Sequence, residues 1–247
     1  MTQDTILFLL LALLSEIIGT VSGFGSSILF VPVASIFFDF KTVLGITAVF
    51  HVFSNLAKIL LFRKGIDKSI ALKLGIPAVL FVVIGALITT VIPGRNIELV
   101  MDIVLIIFSI YLLRNINKQL KQTNTNLIAG GSISGLLAGL VGTGGAIRGI
   151  TLTAFNLPKD IFVATSAIID LGVDFSRSVV YIANDYFPVH QVRLIPMLIV
   201  VSIAGSYLGK LILKRTSEHV FRYIVTGVVI ATSIFQLIKY FSGSGGD

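Results

Sequence analysis

The sequence contains no cysteine and no tryptophan, only three histidines, and charged residues at only 13% of its positions. The absence of cysteine excludes disulfides, thiolate metal sites and thiol relays. The histidines lie far apart, and the chain carries no His-Glu-x-x-His, no Gly-x-Ser-x-Gly and no paired metal-binding carboxylates. These absences argue against a metal site, any other cofactor and an intramembrane enzyme.

What remains is largely apolar, with 55% hydrophobic residues and a mean hydropathy of +0.99. A soluble chain of this composition could not cover its own surface with polar groups. Runs such as 76–92, 97–113 and 194–212 have about the length that spans roughly 30 Å of hydrocarbon. The composition therefore predicts an all-α integral membrane protein whose first partner is the lipid bilayer.

The ends and the charge of the chain fit this class. The apolar run after Asp4 has no basic region before it and no Ala-x-Ala-like cleavage site, so we expect it to be retained. The net charge of +7 is better explained by basic cytoplasmic loops than by nucleic acid as a partner. We expect a multi-pass protein of the cell membrane.

The sequence is predicted to contain two copies of one unit, because a shift of 119 residues aligns its halves without gaps. The shift places Gly23-Phe24-Gly25-Ser26 on Gly142-Thr143-Gly144-Gly145. It also places Ile76-Pro77 on Ile195-Pro196. Matches at one constant offset indicate a duplication. The predicted organisation is a first transmembrane repeat at 1–116, a polar cytoplasmic linker at 117–126, a second transmembrane repeat at 127–241 and a flexible tail at 242–247.

Each repeat is predicted to contain five hydrophobic helices, and the first two are short and meet at a glycine-rich break. The predicted helices are 5–22, 24–38, 42–63, 70–92 and 97–114, followed by 127–141, 144–157, 160–183, 190–211 and 217–240. The two short helices either cross the membrane or fold back as a re-entrant hairpin, and both arrangements leave the loops on the same sides. Their shortness favours the hairpin.

The distribution of basic residues predicts how the repeats are oriented. Of 19 Lys and Arg, three lie inside hydrophobic segments, and an odd number of crossings per repeat divides the other 16 into 12 and 4. Four crossings per repeat would divide them 9 to 7. The positive-inside rule therefore favours two inverted-topology repeats with both termini outside. The 12 cytoplasmic residues would be Arg63, Lys64, Lys68, Lys73, Arg114, Lys118, Lys121, Lys159, Lys210, Lys214, Arg215 and Arg222.

The two glycine breaks are the candidate substrate site. Broken helices at membrane depth are tolerated where they line a cavity, and paired breaks in inverted halves point to a site near the midplane. A helix beginning at such a break presents unpaired N–H groups and a positive dipole end, which suit an anion. The competing interpretation is that the glycines only allow close helix packing. The residues predicted to bind the substrate are Gly23, Phe24, Gly25, Ser26, Ser27, Gly142, Thr143, Gly144, Gly145 and Arg148.

Arg148 strengthens this prediction, because it lies three residues after Gly145 in a hydrophobic segment, where its counterpart is Leu29. A permanent charge there is costly unless it faces a cavity or a partner. We favour coordination of the substrate anion, with a structural ion pair, for example to Glu16, and interfacial snorkelling as alternatives.

These motifs resemble the TauE/SafE sulfite-exporter family. The similarity rests on the two glycine motifs, on the helices that begin after Phe38 and Leu157, and on Ala164-Thr165-Ser166, and it covers nearly the whole chain. The resemblance implies a permease for sulfite or small organosulfur anions.

The third helix of each repeat carries a polar stripe. His51, Asn55 and Lys58 are spaced i, i+4, i+7 and share one helix face. At the offset of 119 residues they correspond to Asp170, Asp174 and Arg177, which share a face in the second repeat. Polar stripes of this kind normally face the bundle interior or water. They are candidates for coupling transport to protons.

The stripe residues also have simpler interpretations. Lys58 would more often be a snorkelling residue at a helix end, and Asp174 with Arg177 would be a local i, i+3 ion pair. A buried histidine is often only hydrogen-bonded. Asp170 is the preferred proton carrier because it lies near mid-depth, and Glu16 is the second candidate.

The sequence and the resemblance therefore predict a secondary transporter that exports a small sulfur-containing anion, with protons as the coupling ion. An uncoupled anion channel or facilitator and a membrane scaffold without transport are the alternatives. The oligomeric state is open, with a homodimer as one option.

Overall fold

The computed structural model describes residues 3–23, 25–62, 65–92, 121–217, 220 and 223. These residues form helices and turns, and they contain no strand. Their α-helices are α1 (Gln3–Ser22), α2 (Ser27–Ala34), α3 (Phe40–Leu61), α4 (Lys68–Val91), α5 (Asn124–Val141), α6 (Gly145–Thr153), α7 (Lys159–Ala183) and α8 (Ile195–Lys214). A 3-10 helix, Val189–Leu194, leads into α8. The prediction of an all-α chain is confirmed for this part of the molecule.

Several predicted elements lie outside the described residues. They include the helix at 97–114, nearly all of the helix at 217–240, the tail at 242–247, residues 117–120 of the linker and Phe24. The boundaries of the two repeats therefore stay predictions.

The second helix of each repeat is shorter than the sequence predicted. The prediction placed helices at 24–38 and 144–157, but α2 has 8 residues and α6 has 9. Each gives way to a turn, which is followed by an extended residue at the N-cap of the next helix. Asp39 has ψ 160° as the N-cap of α3, and Pro158 has ψ 142° before α7. At about 1.5 Å per residue, neither helix is long enough to cross a bilayer.

The α-helix predicted from residue 190 begins instead at Ile195. Pro196 lies in the first turn of α8, where its missing N–H costs no hydrogen bond. The preceding residues form the 3-10 turn. The counterpart Pro77 lies inside α4, which begins at Lys68, so the same proline has different positions in the two repeats.

Within the described residues, four segments are long and apolar enough to cross a membrane: Gln3–Ser22, Phe40–Leu61, Lys68–Val91 and Gln191–Lys214. Their outward faces carry exposed large hydrophobic side chains, such as Leu10, Leu80 and Val200. An apolar surface of this extent is what contact with lipid requires.

The repeats share their backbone geometry at the predicted offset. Gly23 N–H donates to Gly19 O at 3.1 Å, and Gly142 N–H donates to Ala138 O at 3.2 Å, 119 residues later. Gly23 and Gly142 both adopt the left-handed conformation, with φ of 81° and 80°. The same offset relates the hydrogen bonds that close the turns after α2 and α6.

Corresponding helices of the two repeats also have corresponding neighbours in the other repeat. The first helix of each repeat packs on the fourth helix of the other, α1 on α8 and α5 on α4. The third helices, α3 and α7, pack against each other at the centre. Glycines permit the closest of these contacts: a Cβ at Gly135 would lie 2.1 Å from Ala78 O, and one at Gly139 would lie 2.3 Å from Val82 O.

Helices α3 and α7 run in opposite directions. Lys41 at the start of α3 lies over the ring of Tyr186, just beyond the end of α7. At the other end, Thr165 near the start of α7 accepts a hydrogen bond from Asp67 N–H, which follows α3. The repeat-mates Asn55 and Asp174 contact each other, with Nδ2 and Oδ2 2.8 Å apart. The two stripes therefore face one another where the helices cross.

Candidate functional site

The two glycine breaks meet in the interior. Ser27 Oγ at the start of α2 donates to Thr143 Oγ1 before α6, at 3.3 Å. A Cβ added to Gly25 would lie 3.6 Å from Asp170 Oδ2 and 4.0 Å from Arg148 Nη2. The predicted meeting of the breaks, with Arg148 beside them, is therefore present in the structure. Their depth in a bilayer stays a prediction.

A small polar cavity of about 10 Å³ lies between the breaks and the facing stripes. That is about the space that one water molecule needs. Its walls come from both breaks, from both central helices and from the first turns of the short helices. They are Gly25, Ser27, His51, Asn55, Ala138, Gly142, Gly144, Arg148, Asp170, Val173, Asp174 and Arg177.

Arg148 forms an ion pair with Asp170 through Nη2 and Oδ1. The Arg148 side chain is 2% exposed, so the snorkelling alternative is wrong. Arg148 thus pairs with Asp170, whereas Glu16 pairs with Lys58. Ser166 Oγ donates to Asp170 Oδ2 at 3.3 Å. The carboxylate of Asp170 therefore occupies the position against the guanidinium that a substrate anion could take.

The second charge pair on the cavity wall is Asp174 with Arg177. Arg177 Nη2 lies 2.7 Å from Asp174 Oδ1, which confirms the predicted i, i+3 pair. Arg177 Nη1 also donates to Ala138 O at 3.1 Å and to Gly142 O at 2.8 Å. These carbonyls belong to the last turn of α5, so the guanidinium holds the second glycine break in place.

Glu16 is the centre of a separate buried cluster. Its Oε1 lies 2.9 Å from Lys58 Nζ, and both side chains are at most 3% exposed. The interpretation of Lys58 as a snorkelling residue is therefore wrong, because it points inward to a carboxylate. The hydroxyls that donate to Glu16 are Thr20 at 3.2 Å, Ser26 at 2.5 Å, Ser54 at 2.7 Å and Ser206 at 2.8 Å.

The Glu16 cluster is connected to the cavity through His51. Ser26 Oγ lies 2.8 Å from His51 Nε2, and His51 Nδ1 lies 2.7 Å from Thr47 O. His51 itself lines the cavity. Ser26 therefore contacts the Glu16 cluster and not the cavity.

The predicted substrate residues divide into two groups. Gly25, Ser27, Gly142, Gly144 and Arg148 line the cavity. Gly23, Ser26, Thr143 and Gly145 lie next to it without lining it, and Phe24 lies outside the described residues.

The sequence analysis missed Thr20, Ser54 and Ser206 around Glu16. Ser54 is seven residues from Thr47 and four from Lys58, so helical spacing could have added it to the stripe. Ser206 lies 190 residues from Glu16, and nothing local points to their contact.

The cavity walls balance in charge, since Arg148 and Arg177 face Asp170 and Asp174. No group of three or more His, Asp or Glu in the described part of the chain is placed to hold a metal ion. The arrangement can bind an anion if a carboxylate withdraws from an arginine, and it can restore neutrality if a proton is taken up.

The family model described as "Sulfite exporter TauE/SafE" matches residues 7–235. No curated protein and no solved structure matches the chain.

Proposed function

The chain belongs to the sulfite exporter TauE/SafE family of membrane transporters, and on that basis we propose that it exports a small sulfur-containing anion. Sulfite and an organosulfonate are the proposed substrates. The anion binds near the membrane midplane between the two glycine-broken helices, and its movement is coupled to protons. The two repeats have inverted topology and both termini lie outside.

The observation that carries this proposal is the pairing of Arg148 with a carboxylate inside the cavity. An oxyanion makes the same charge-assisted hydrogen bonds to a guanidinium as a carboxylate does. The starts of α2 and α6 lie at the same cavity and add partial positive charge. The Asp170 carboxylate thus occupies the place of the substrate on Arg148, and the substrate displaces this carboxylate when it binds.

The balance of charge supports proton coupling. An anion that enters walls with two arginines and two aspartates leaves an excess negative charge in a poorly solvated place. Protonation of the displaced Asp170 carboxylate removes that excess. Anion and proton then move together as a neutral pair, whose direction is set by their concentration gradients and not by the membrane potential. Export follows when the outward gradient of the anion exceeds the opposing gradient of protons.

An uncoupled channel is the main alternative, and uphill transport separates it from a coupled transporter. Proteoliposomes with a pH gradient across their membrane should accumulate labelled sulfite above its external concentration. A channel would only equalise the concentrations. In a scaffold, substitution of Arg148 and Asp170 would change no flux.

Sulfite binding to purified protein tests the site itself. We expect Arg148→Ala to weaken binding by roughly 1.5–3 kcal/mol, the usual contribution of a charge-assisted hydrogen bond. Arg148→Lys should recover only part of it, because a point charge cannot reproduce the planar guanidinium. Unchanged affinity in folded Arg148→Ala would contradict the proposed site.

Exchange and accumulation together test the role of Asp170. Asp170→Asn should abolish accumulation driven by the pH gradient and leave sulfite exchange intact, since exchange needs no net movement of protons. A misfolded variant would lose both activities. Normal pH-driven accumulation by Asp170→Asn would exclude Asp170 as the coupling residue, and Glu16→Gln would be tested next.

A further inference from the structure

A continuous chain of hydrogen bonds joins the Glu16 cluster to the cavity wall. It runs from Thr47 O to His51 Nδ1 at 2.7 Å, and from His51 Nε2 to Ser26 Oγ at 2.8 Å. It ends at Glu16 Oε2, 2.5 Å from Ser26 Oγ. All four residues are buried, with exposed fractions of at most 2%. The chain thus links α3, the N-cap of α2 and α1 without access to solvent.

The donors and acceptors along this hydrogen-bond chain fix the number of protons that it holds. Thr47 O is a backbone carbonyl and only accepts, so His51 Nδ1 carries a hydrogen. The Ser26 hydroxyl has one hydrogen to donate and lies between two potential acceptors, His51 Nε2 and Glu16 Oε2. If Glu16 were ionised and His51 neutral, one of these short contacts would join two acceptors. Both contacts are hydrogen bonds only when one further proton is present.

We infer that Glu16, Ser26 and His51 share one proton, whose position sets the charge on the cavity wall. In one state the Glu16 carboxyl donates to Ser26, and Ser26 donates to neutral His51. In the other state the His51 imidazolium donates to Ser26, and Ser26 donates to the Glu16 carboxylate. The first becomes the second when the Glu16 O–H and Ser26 O–H bonds break while new Ser26 O–H and His51 Nε2–H bonds form. The proton count is the same in both.

Charged groups lie near both ends of this hydrogen-bond chain. Lys58 on α3 lies against Glu16 and stabilises its carboxylate, and α8 contributes only the neutral hydroxyl of Ser206 there. His51 lines the cavity together with Asp174 and Arg177 of α7. The remaining charged cavity residues, Arg148 and Asp170, are paired with each other. An anion entering the cavity therefore adds the negative charge that draws the shared proton onto His51.

The movement of the shared proton onto His51 when an anion enters rests on the proposed function, whereas the sharing of the proton does not. The position of the proton gives the cavity an additional positive charge when the substrate is present and withdraws it when the substrate leaves. The Glu16 cluster would thus assist anion binding without touching the anion.

Spectroscopy of the substrate-free protein at neutral pH tests the shared proton. The whole protein contains three histidines and three glutamates, so labelling the imidazole nitrogens and the glutamate carboxyl carbons gives few signals. Nitrogen NMR reports the state of His51, assigned with His51→Gln, and infrared spectra report whether Glu16 is protonated. We expect either neutral His51 with protonated Glu16, cationic His51 with ionised Glu16, or a mixture that sums to one proton. Neutral His51 beside an ionised Glu16 would overturn the inference.

Variants of the bridging hydroxyl provide the matched comparison. Ser26→Ala should release the shared proton, giving neutral His51 and ionised Glu16, and Ser26→Thr should retain it. Ser54→Ala is the control, because Ser54 is equally buried and donates to the other oxygen of the same carboxylate, Oε1, outside the chain. It should leave the proton count unchanged. Loss of the proton in Ser54→Ala but not in Ser26→Ala would contradict the bridge. If Glu16→Gln does not fold, Glu98→Gln and Glu218→Gln assign the Glu16 signal by elimination.

Addition of sulfite tests whether an anion in the cavity moves the shared proton onto His51. In the unmodified protein it should increase the fraction of cationic His51 and of ionised Glu16 by equal amounts. Sulfite that binds without moving the proton would overturn the switching of the wall charge. If sulfite does not bind at all, sulfite is not the substrate. The inference of one shared proton is then still tested by the spectra of the substrate-free protein.

Discussion

The described parts of the two predicted repeats share the backbone geometry of their glycine breaks but use buried charge differently. In the first repeat Lys58 reaches a carboxylate on another helix, Glu16, inside a closed cluster of hydroxyls. In the second repeat the counterpart Arg177 pairs with Asp174 on its own helix, at the wall of the cavity. The position equivalent to Glu16 is Gly135, which packs too closely on Ala78 to carry any side chain. One repeat encloses its ion pair, whereas the pairs of the other lie on the wall of the cavity.

This difference suggests a division of roles. The buried pair and its hydroxyl donors join α1, α3 and α8, whereas the proposed substrate would compete for the pairs on the cavity wall.

The first test concerns the opposite orientation of the repeats, for which an all-or-none result is expected. Single cysteines can be introduced freely, since the chain has none. An impermeant thiol reagent added outside intact cells should label position 3 and should not label position 68. The basic loops 63–73, 114–126 and 210–222 are predicted to be cytoplasmic. Labelling of position 68 without position 3 would reverse the predicted orientation.

The enclosed pair should show its role in stability. Lys58→Met is expected to lower the free energy of unfolding in detergent by about 3–5 kcal/mol, because it leaves the Glu16 carboxylate buried without its counter-ion. The double variant Lys58→Met, Glu16→Gln removes both charges and should recover much of the loss. A single variant as stable as the unmodified protein would mean that the pair does not fix the helices.

The glycine at the position equivalent to Glu16 should tolerate no side chain. A Cβ at Gly135 would lie 2.1 Å from Ala78 O, a backbone atom that cannot rotate away. We expect Gly135→Ala to cost about 1–3 kcal/mol of unfolding free energy, as overpacking usually does. Gly172→Ala is the control, since its Cβ would meet only the end of the Val79 side chain, at 3.0 Å. Equal stability of the two variants would refute close packing as the reason for this glycine.

The smallest effect is expected at the start of the third helices, where Asp39 corresponds to Pro158. Burial alone would raise the pKa of the Asp39 carboxyl, but hydrogen bonds from Thr42 and from backbone N–H groups outweigh it and lower the pKa. A lowered pKa in the folded state means that Asp39 stabilises the protein above its unfolded pKa and loses this contribution as the pH falls through the folded one.

Asp39→Ala should therefore cost about 1 kcal/mol at neutral pH, the usual value for an N-cap, and less in acid. Asp39→Asn keeps an acceptor for Thr42 N–H and should be stable without this pH dependence. Thermal unfolding in detergent across the acid range distinguishes the two variants. A loss in Asp39→Ala that does not diminish toward low pH would show that the carboxylate charge is not involved.

The sequence by itself determined the features that depend on local spacing. Long apolar runs indicated membrane helices, one constant offset indicated the repeat, and the i, i+4, i+7 spacing placed His51, Asn55 and Lys58 on one face. The Asp174–Arg177 pair was predictable because both residues lie on one helical turn. The ends of α2 and α6 were less predictable, because the largely apolar sequence continues through the turns that follow them.

Only the tertiary structure decided which charges meet. Arg148 pairs with Asp170 and Lys58 with Glu16 because helices far apart in the sequence cross at those points. Ser206 and Asn55 find partners 190 and 119 residues away, and no periodicity along the chain encodes such contacts. Helical spacing tells which face of a helix is polar, whereas the partner of each charge depends on how the helices pack. The division between an enclosed cluster and an open cavity follows from that packing.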